Sequence, residues 1–425
     1  MNYNTVRDDR LRESYIEFKH SSGLEVLLYP MKGYSTAYAL FGTKYGSIDT
    51  CFKTEQDDDF VEVPAGVAHF LEHKLFESEE GDAFTLFAQT GASANAFTSF
   101  DKTCYLFSCA DNFKQSFEYL LGFVQDPYFT AQTVQKEQGI IGQEIRMYDD
   151  APGWRVFFNL LGALYHNHPV RIDIAGTVDS IAQIDDKLLY RCYNTFYNLN
   201  NMVLAVAGNF DVDEAMEVID RKLRPAKDMS IERRAVDEPA GVVRQEVVQK
   251  LEVALPLFHI GFKEQPADGL EQLRAEIETE ILLKVIAGST SSLYRRLYDR
   301  GLINDSFEAQ VESGRGYFCA IFGGESKDPR AVYQEILREI GALRQSGIPD
   351  EDVERAKKTV YGKAIRGLND VEDVANTLVS SYFSGVTIYD TVHTAAAVTP
   401  ADIRARFQKS FAPERSAISI IEPME

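Results

Sequence analysis

The sequence predicts a mixed α and β protein built as two halves on one plan. Three observations carry that expectation. Apolar runs bounded by Gly and Pro read as strands, and longer stretches of helical period lie between them. A polar, irregular stretch after Arg221 (RKLRPAKDMSIERRAVDEPAG) interrupts the pattern. The pattern then restarts in the same order.

In chain order, strands are expected at 23–30 (GLEVLLYP), 37–44, 103–109 (TCYLFSC) and 202–208 (MVLAVAG). Helices are expected at 66–76, 83–90, 113–124 and 133–148. The polar stretch places a domain boundary near 225–240, dividing the chain into residues 1–230 and 231–425. A strand pattern resumes at 247–262. Strand 317–322 then precedes a helix from 329 to 345, as 103–109 precedes 113–124. Next, PYFTAQTVQKEQGIIGQEI corresponds faintly to GIPDEDVERAKKTVYGKAI: with Val134 set on Val353, an offset of 219 residues, Ile141 falls on Val360. In that alignment Glu137 meets Ala356 and Glu144 meets Lys363, so the first half alone keeps the acidic residues.

A chain of 425 residues, 45% hydrophobic and 26% charged, can bury sizeable cores and is too apolar for disorder. Its formal charge of −21 argues against nucleic acid or anionic membrane as the main partner, since both select basic surface. It leaves room for cationic or peptide ligands. No apolar run approaches the roughly 18 residues of a membrane span, and MNYNTVRDDRLRESYIEF reads as neither a secretion signal nor a transit peptide. The five cysteines (Cys51, Cys104, Cys109, Cys192, Cys319) lack ligand-like pairing, and Cys104 and Cys109 fall on opposite faces of their strand. Reduced thiols in a cytoplasmic protein are the expectation.

The sharpest signal is His69-Phe70-Leu71-Glu72-His73. Pro64 and Gly66 upstream, with an apolar pattern after them, should open a helix here. Positions i, i+3 and i+4 share a face, so both imidazoles can reach one ion with Glu72 beside it. Nitrogen ligands at this spacing suit zinc, and a carboxylate next to a metal-activated water suits a general base. The order H-x-x-E-H inverts the commoner H-E-x-x-H and is the inverzincin signature. The bland alternative is two surface histidines flanking a solvated Glu.

Such a site needs a third protein ligand. Helix 133–148 can supply it through Glu137 or Glu144, which lie seven residues apart on nearly the same face. One can bind the ion while the other hydrogen-bonds the water or the substrate. Other candidates fare worse. His166 and His168 (YHNHP) sit in loop-like text, and Trp154 reads as a packing anchor. The glycine-rich GGES at 323–326 lacks the lysine of a phosphate loop.

On these residues the chain resembles the insulinase/pitrilysin family of inverzincin metallopeptidases, which includes mitochondrial processing peptidase and bacterial relatives. The resemblance rests on the motif helix and on Glu144, with seventy residues between it and His73 and a second Glu seven residues before it. GASANAFTSFDKTCYLFS, HPVRIDIAGTVDSI and NNMVLAVAGNFD add to it, and SSLYRRLYDRGL extends it more weakly. It implies an α+β fold of two similar domains, each an antiparallel sheet with helices packed on it, forming half of a clamshell chamber. It implies Zn2+ held by His69, His73 and Glu144, with Glu72 as general base and Glu137 as a supporting carboxylate. Substrate would lie extended along 94–99, with Asn95, Ala96 and Phe97 as contacts. Asn95 equally suits a turn residue that satisfies its own backbone.

The activity so implied is zinc-dependent endopeptidase action on peptides or small unfolded segments. The alternative is a non-catalytic peptide-binding or scaffold subunit. One departure stands out. Many dimeric members carry an Arg and a Tyr that help hold the substrate carbonyl. Tyr298 and Asn304 occupy those places here, and Arg300 fits only after a shift. A homologous non-catalytic partner, making a heterodimer, is therefore expected to hold that half of the site, with a homodimer as the other arrangement.

Overall fold

The structure, a computed structural model, describes residues 3–79 and 81–424. Two compact units interleave along the chain. The first takes the chain to Ile145, then Asp173–Arg234 and Arg366–Tyr389; the second takes Arg146–Ile172, Ala235–Ile365 and Asp390 onward. Where the sequence reading makes one cut at 230/231, apolar helix faces set a more interleaved division. Helix Val371–Ser384 buries Val374, Leu378 and Val379 in one cluster with Leu40, Val203 and Ala205 of the first sheet. Helix Pro152–Leu164 buries Val156 with Leu251 and Ile421 of the second. An amphipathic helix goes where its stripe is covered, whatever its place in the chain.

The first sheet has seven strands in the order Asn4–Asp8, Glu13–Lys19, Glu25–Pro30, Met202–Gly208, Ala37–Thr43, Thr103–Cys109, Ser93–Thr98. The second has five: Glu246–Leu251, Ser416–Pro423, Leu257–Lys263, Tyr317–Glu325, Glu308–Gly314. The five strands of the second match the last five of the first, one for one and in direction. In each, the first and last strands of the set in chain order lie side by side and parallel, and the other pairs are antiparallel. The sheets are thus mostly antiparallel rather than wholly so, because the last strand returns through a long helical excursion, the connection that a parallel pair requires. The helical repeat agrees. Val134 and Ile141 on Ala131–Asp149 are buried, and so are Val353 and Val360 on Asp350–Gly367.

Every residue of Ala37–Thr43 and Met202–Gly208 is buried, which explains their continuous apolar text. At the sheet's end, Ser93–Thr98 pairs on one side only, with Thr103–Cys109. Its other edge is open to a further strand. Among the described residues no helix is long and apolar enough to cross a membrane.

Candidate metal centre

Helix Val67–Leu75 starts at Gly66, whose φ of 93° only glycine adopts easily and which has no side-chain cap. A Cβ on Gly66 would lie 2.5 Å from the Ala175 carbonyl oxygen, and one on Gly176 (φ 75°) would lie 2.5 Å from that of Ala65. The two glycines let these backbones touch, and Ser180 Oγ donates to the Ala65 carbonyl at 2.8 Å. The AGTVDS text of the sequence is thus the clamp on the start of the motif helix. Phe70 and Leu71 anchor the inner face in full burial, over the paired hydroxyls of Tyr105 and Tyr197 (2.8 Å). With that face fixed, helical spacing brings the His69 and His73 rings to 4.6 Å between centroids.

Helix Ala131–Asp149 buries Val134, Ile141 and Ile145. Glu137 and Glu144 each follow a buried residue by three positions, so both sit on the same shoulder of the stripe. Glu144 reaches His69 Nε2 with one oxygen at 3.8 Å and His73 Nε2 with the other at 3.4 Å. His69, His73 and Glu144 each offer a ligand atom, all within 4.8 Å of one another. His73 Nδ1 donates to Glu137 Oε1 at 3.0 Å. That bond places a proton on Nδ1 and makes Nε2 the nitrogen that faces Glu144.

The electrostatics agree with the geometry. Burial, reinforced by His73, pushes His69 down to about 4, so this imidazole is neutral and able to ligate. Burial also disfavours charge on His73, but the carboxylates of Glu137 and Glu144 outweigh it and raise that ring to about 10. The two carboxylates thus favour positive charge at His73, while His69 stays neutral. Two imidazole nitrogens and one carboxylate form the donor set of a catalytic zinc site with a position left open. These residues fit the ion.

The family model for insulinase (peptidase family M16) matches residues 61–178, and that for the peptidase M16 inactive domain matches 183–360. YmfH of Bacillus subtilis strain 168, an uncharacterized zinc protease, is 40% identical, covering 98% of this chain and 99% of its own. The chain belongs to the insulinase (M16) family. A crystal structure of an M16-like peptidase from Alicyclobacillus acidocaldarius is similar to it with a TM-score of 0.93 at 35% identity, over 100% of this chain and 99% of that one. Pitrilysin shares the fold alone, at 16% identity and a TM-score of 0.78, with 47% of its length covered.

Around this M16 centre the remaining site residues divide. Glu72 Oε2 accepts a hydrogen bond from Thr98 Oγ1 at 2.6 Å; burial raises its pKa above the ordinary carboxyl value, and Thr98 opposes the rise. Glu72, His73 and Glu137 line a cleft of about 640 Å³ together with Asn95 and Ala96 of the open edge strand. Phe76 and Phe84, stacked at 4.2 Å, wall it. Asn95 Oδ1 accepts from the Ala96 N–H at 2.9 Å, the self-satisfying arrangement. Phe97 instead packs on the core cluster that holds Cys104 and Leu106, outside the cleft lining. Thr98 closes the Asn-Ala-x-Thr text of this strand, on the face of Ala96, and its bond to Glu72 is not readable from the sequence.

Elsewhere in the M16 chain, Arg300 is bound to Glu335 (2.6 Å), Asn304 donates to Glu325 (2.8 Å) and Tyr298 is exposed. His168 is buried against the Arg315 carbonyl, and Trp154 stacks on Tyr148. All five cysteines are free.

Proposed function

We propose that this M16 chain is a zinc-dependent endopeptidase that hydrolyses peptides or small unfolded segments inside a dimeric chamber. The reading is carried by the convergence of His69, His73 and Glu144 beside a cleft that Glu72 shares with an open strand edge. His69, His73 and Glu144 hold the ion. When bound, the ion polarises the scissile carbonyl and acidifies water toward neutrality. The chain does the rest. Glu137 fixes the tautomer of His73. Glu72 takes the proton of the attacking water and delivers it to the leaving amine.

The peptide adds as a strand along 94–99, contacting Asn95 and Ala96 and meeting Phe97 through its main chain only, so recognition reads backbone more than side chains. Asn95 must then release the Ala96 N–H, exchanging an internal bond for one to substrate. The first unit carries the chemistry and the second, which takes most of 231–425, forms the similar domain without ligands. A homologous non-catalytic chain completes the site, with a homodimer as the second arrangement. The free thiols suit the cytoplasm. The inactive-domain match covers 183–360, which holds Ala356 at the place of Glu137, with Lys363 at that of Glu144 three residues beyond it, so it does not favour a non-catalytic reading of the whole chain.

The deciding experiment is Glu72→Gln. Zinc measured by plasma mass spectrometry should stay stoichiometric, while cleavage of an unfolded peptide library falls by about 10²–10⁴-fold. Undiminished cleavage by the variant overturns the assignment.

A further inference from the structure

The geometry points to Thr98 as the residue that aims Glu72, linking the general base to the strand that receives the peptide. The inference rests on the reading of Glu72 as the base. Thr98 closes the open edge strand, opposite Thr103 of its neighbour. Its hydroxyl stands 2.6 Å from Glu72 Oε2, the short distance of a charge-assisted O–H···O⁻ bond. The proton's direction follows from the surroundings. An ionised carboxylate only accepts. Thr103 Oγ1 lies 3.3 Å from Thr98 Oγ1 but has a nearer acceptor in the Tyr45 carbonyl, at 2.9 Å. Thr103 is the donor in both of these contacts, so neither uses the hydroxyl proton of Thr98, which goes to the nearer Glu72 Oε2. Among the described residues, Thr98 is the one side chain hydrogen-bonded to that carboxylate.

A glutamate reaching from a helix has three side-chain torsions, and a carboxylate without a partner samples several of their staggered wells. Holding Oε2 selects one of them and leaves Oε1 available to accept a proton. The anchor is also well placed. Thr98 follows Asn95 and Ala96 in one strand, and those two residues line the cleft beside Glu72. A peptide docked on this strand and the carboxylate that serves it therefore share one frame of reference. The Thr98 hydroxyl touches neither ion nor substrate and acts through Glu72, which makes it a positioning group.

The test uses the full zinc-loaded chain, with its native partner where one co-purifies, and compares Thr98→Val with Thr98→Ser. Valine keeps the shape without the hydroxyl, and serine keeps the hydroxyl. Thr98→Val should lower kcat about ten- to hundredfold, the scale of a hydrogen bond to a charged group, with KM little changed. Thr98→Ser should stay close to wild type. Zinc stoichiometry should be unaltered in both. In a Glu72→Gln background, peptide affinity read by fluorescence anisotropy should be the same with and without Thr98→Val. A crystal structure of Thr98→Val should show the Glu72 carboxylate turned from its present position. Wild-type kcat in Thr98→Val, equal losses in the Val and Ser variants, or weakened peptide binding in the double variant each overturn the role. If Glu72→Gln abolishes cleavage while Thr98→Val is fully active, this inference alone falls. If Glu72→Gln still cleaves, the reading of the base falls and takes this inference with it.

Discussion

Glu137 and Glu238 show what a half-buried carboxylate does when a fold surrounds it with donors. Glu137 spends its contact on His73 Nδ1 and so decides which nitrogen of that ring faces Glu144. Glu238, in the second unit, accepts from Lys263 Nζ at 2.6 Å and from the backbone N–H groups of His166, Asn167 and His168 at 2.8, 2.7 and 2.7 Å. Burial works to raise its pKa, but these donors outweigh burial and hold it at about 2 against an ordinary 4.5. With the folded value depressed, the unfolded chain takes up its proton first as pH falls. The stabilisation is complete above the ordinary value and drains away between there and about 2. Glu238→Gln, which leaves the buried Lys263 charge with backbone carbonyls alone, should destabilise the chain by about 3–5 kcal/mol at neutral pH. Urea melts of variant and wild type should converge as the pH is lowered from 5 toward 3. A gap that stays constant over that range would show that the pair is not what holds this loop.

The placement of the His69–His73 helix depends on backbone contacts that only glycine permits. Gly66→Ala or Gly176→Ala must relieve an approach of 2.5 Å at a positive φ, and each should lose about 2 kcal/mol or more along with zinc retention. Gly139 makes the contrast. It lies inside helix Ala131–Asp149, and a Cβ there meets nothing within 4 Å, so Gly139→Ala should stabilise by about 0.4–1 kcal/mol. Denaturant melts with zinc analysis check both signs, and a neutral Gly66→Ala would remove the clamp from the argument. The same elements show what was legible in advance. Thr103–Cys109, Met202–Gly208 and Ala83–Thr90 match their expected bounds, because apolar runs end there at turn or cap residues. Asn4–Asp8 and Glu13–Lys19 lack the continuous apolar text of the inner strands, because charged residues interrupt both at the margin of the sheet. The run 247–262 resolves into Glu246–Leu251 and Leu257–Lys263, which lie on either side of Ser416–Pro423. That strand arrives from the far end of the chain, and no local pattern announces it. Helical spacing alone places His69, Glu72 and His73 on one face, and seven-residue spacing does the same for Glu137 and Glu144. Thr98 depends on where a strand end meets a helix, which only the packed structure decides.

For the molecule as a whole, strand-for-strand correspondence of the two sheets means that the second half keeps the frame of a site without its chemistry. Lys363, at the place of Glu144, pairs with Glu280 at 3.5 Å, and Ala356 is buried. Nor does that half supply the carbonyl-holding pair from its own loop. Arg300 is engaged by the buried carboxylate of Glu335, which Arg338 also contacts, and Asn304 is turned to Glu325. To reach a substrate, Arg300 would have to leave a carboxylate it already neutralises. Arg300→Ala should therefore leave kcat/KM unchanged and cost at most about 1 kcal/mol of stability, because the guanidinium itself is half exposed. Isolation from the native host, followed by intact-mass measurement of the complex, should reveal a second homologous chain in equal amount. Adding that chain to the purified protein should raise turnover. A homodimer whose activity collapses on Arg300→Ala would reverse the assignment and return the carbonyl-holding role to this chain.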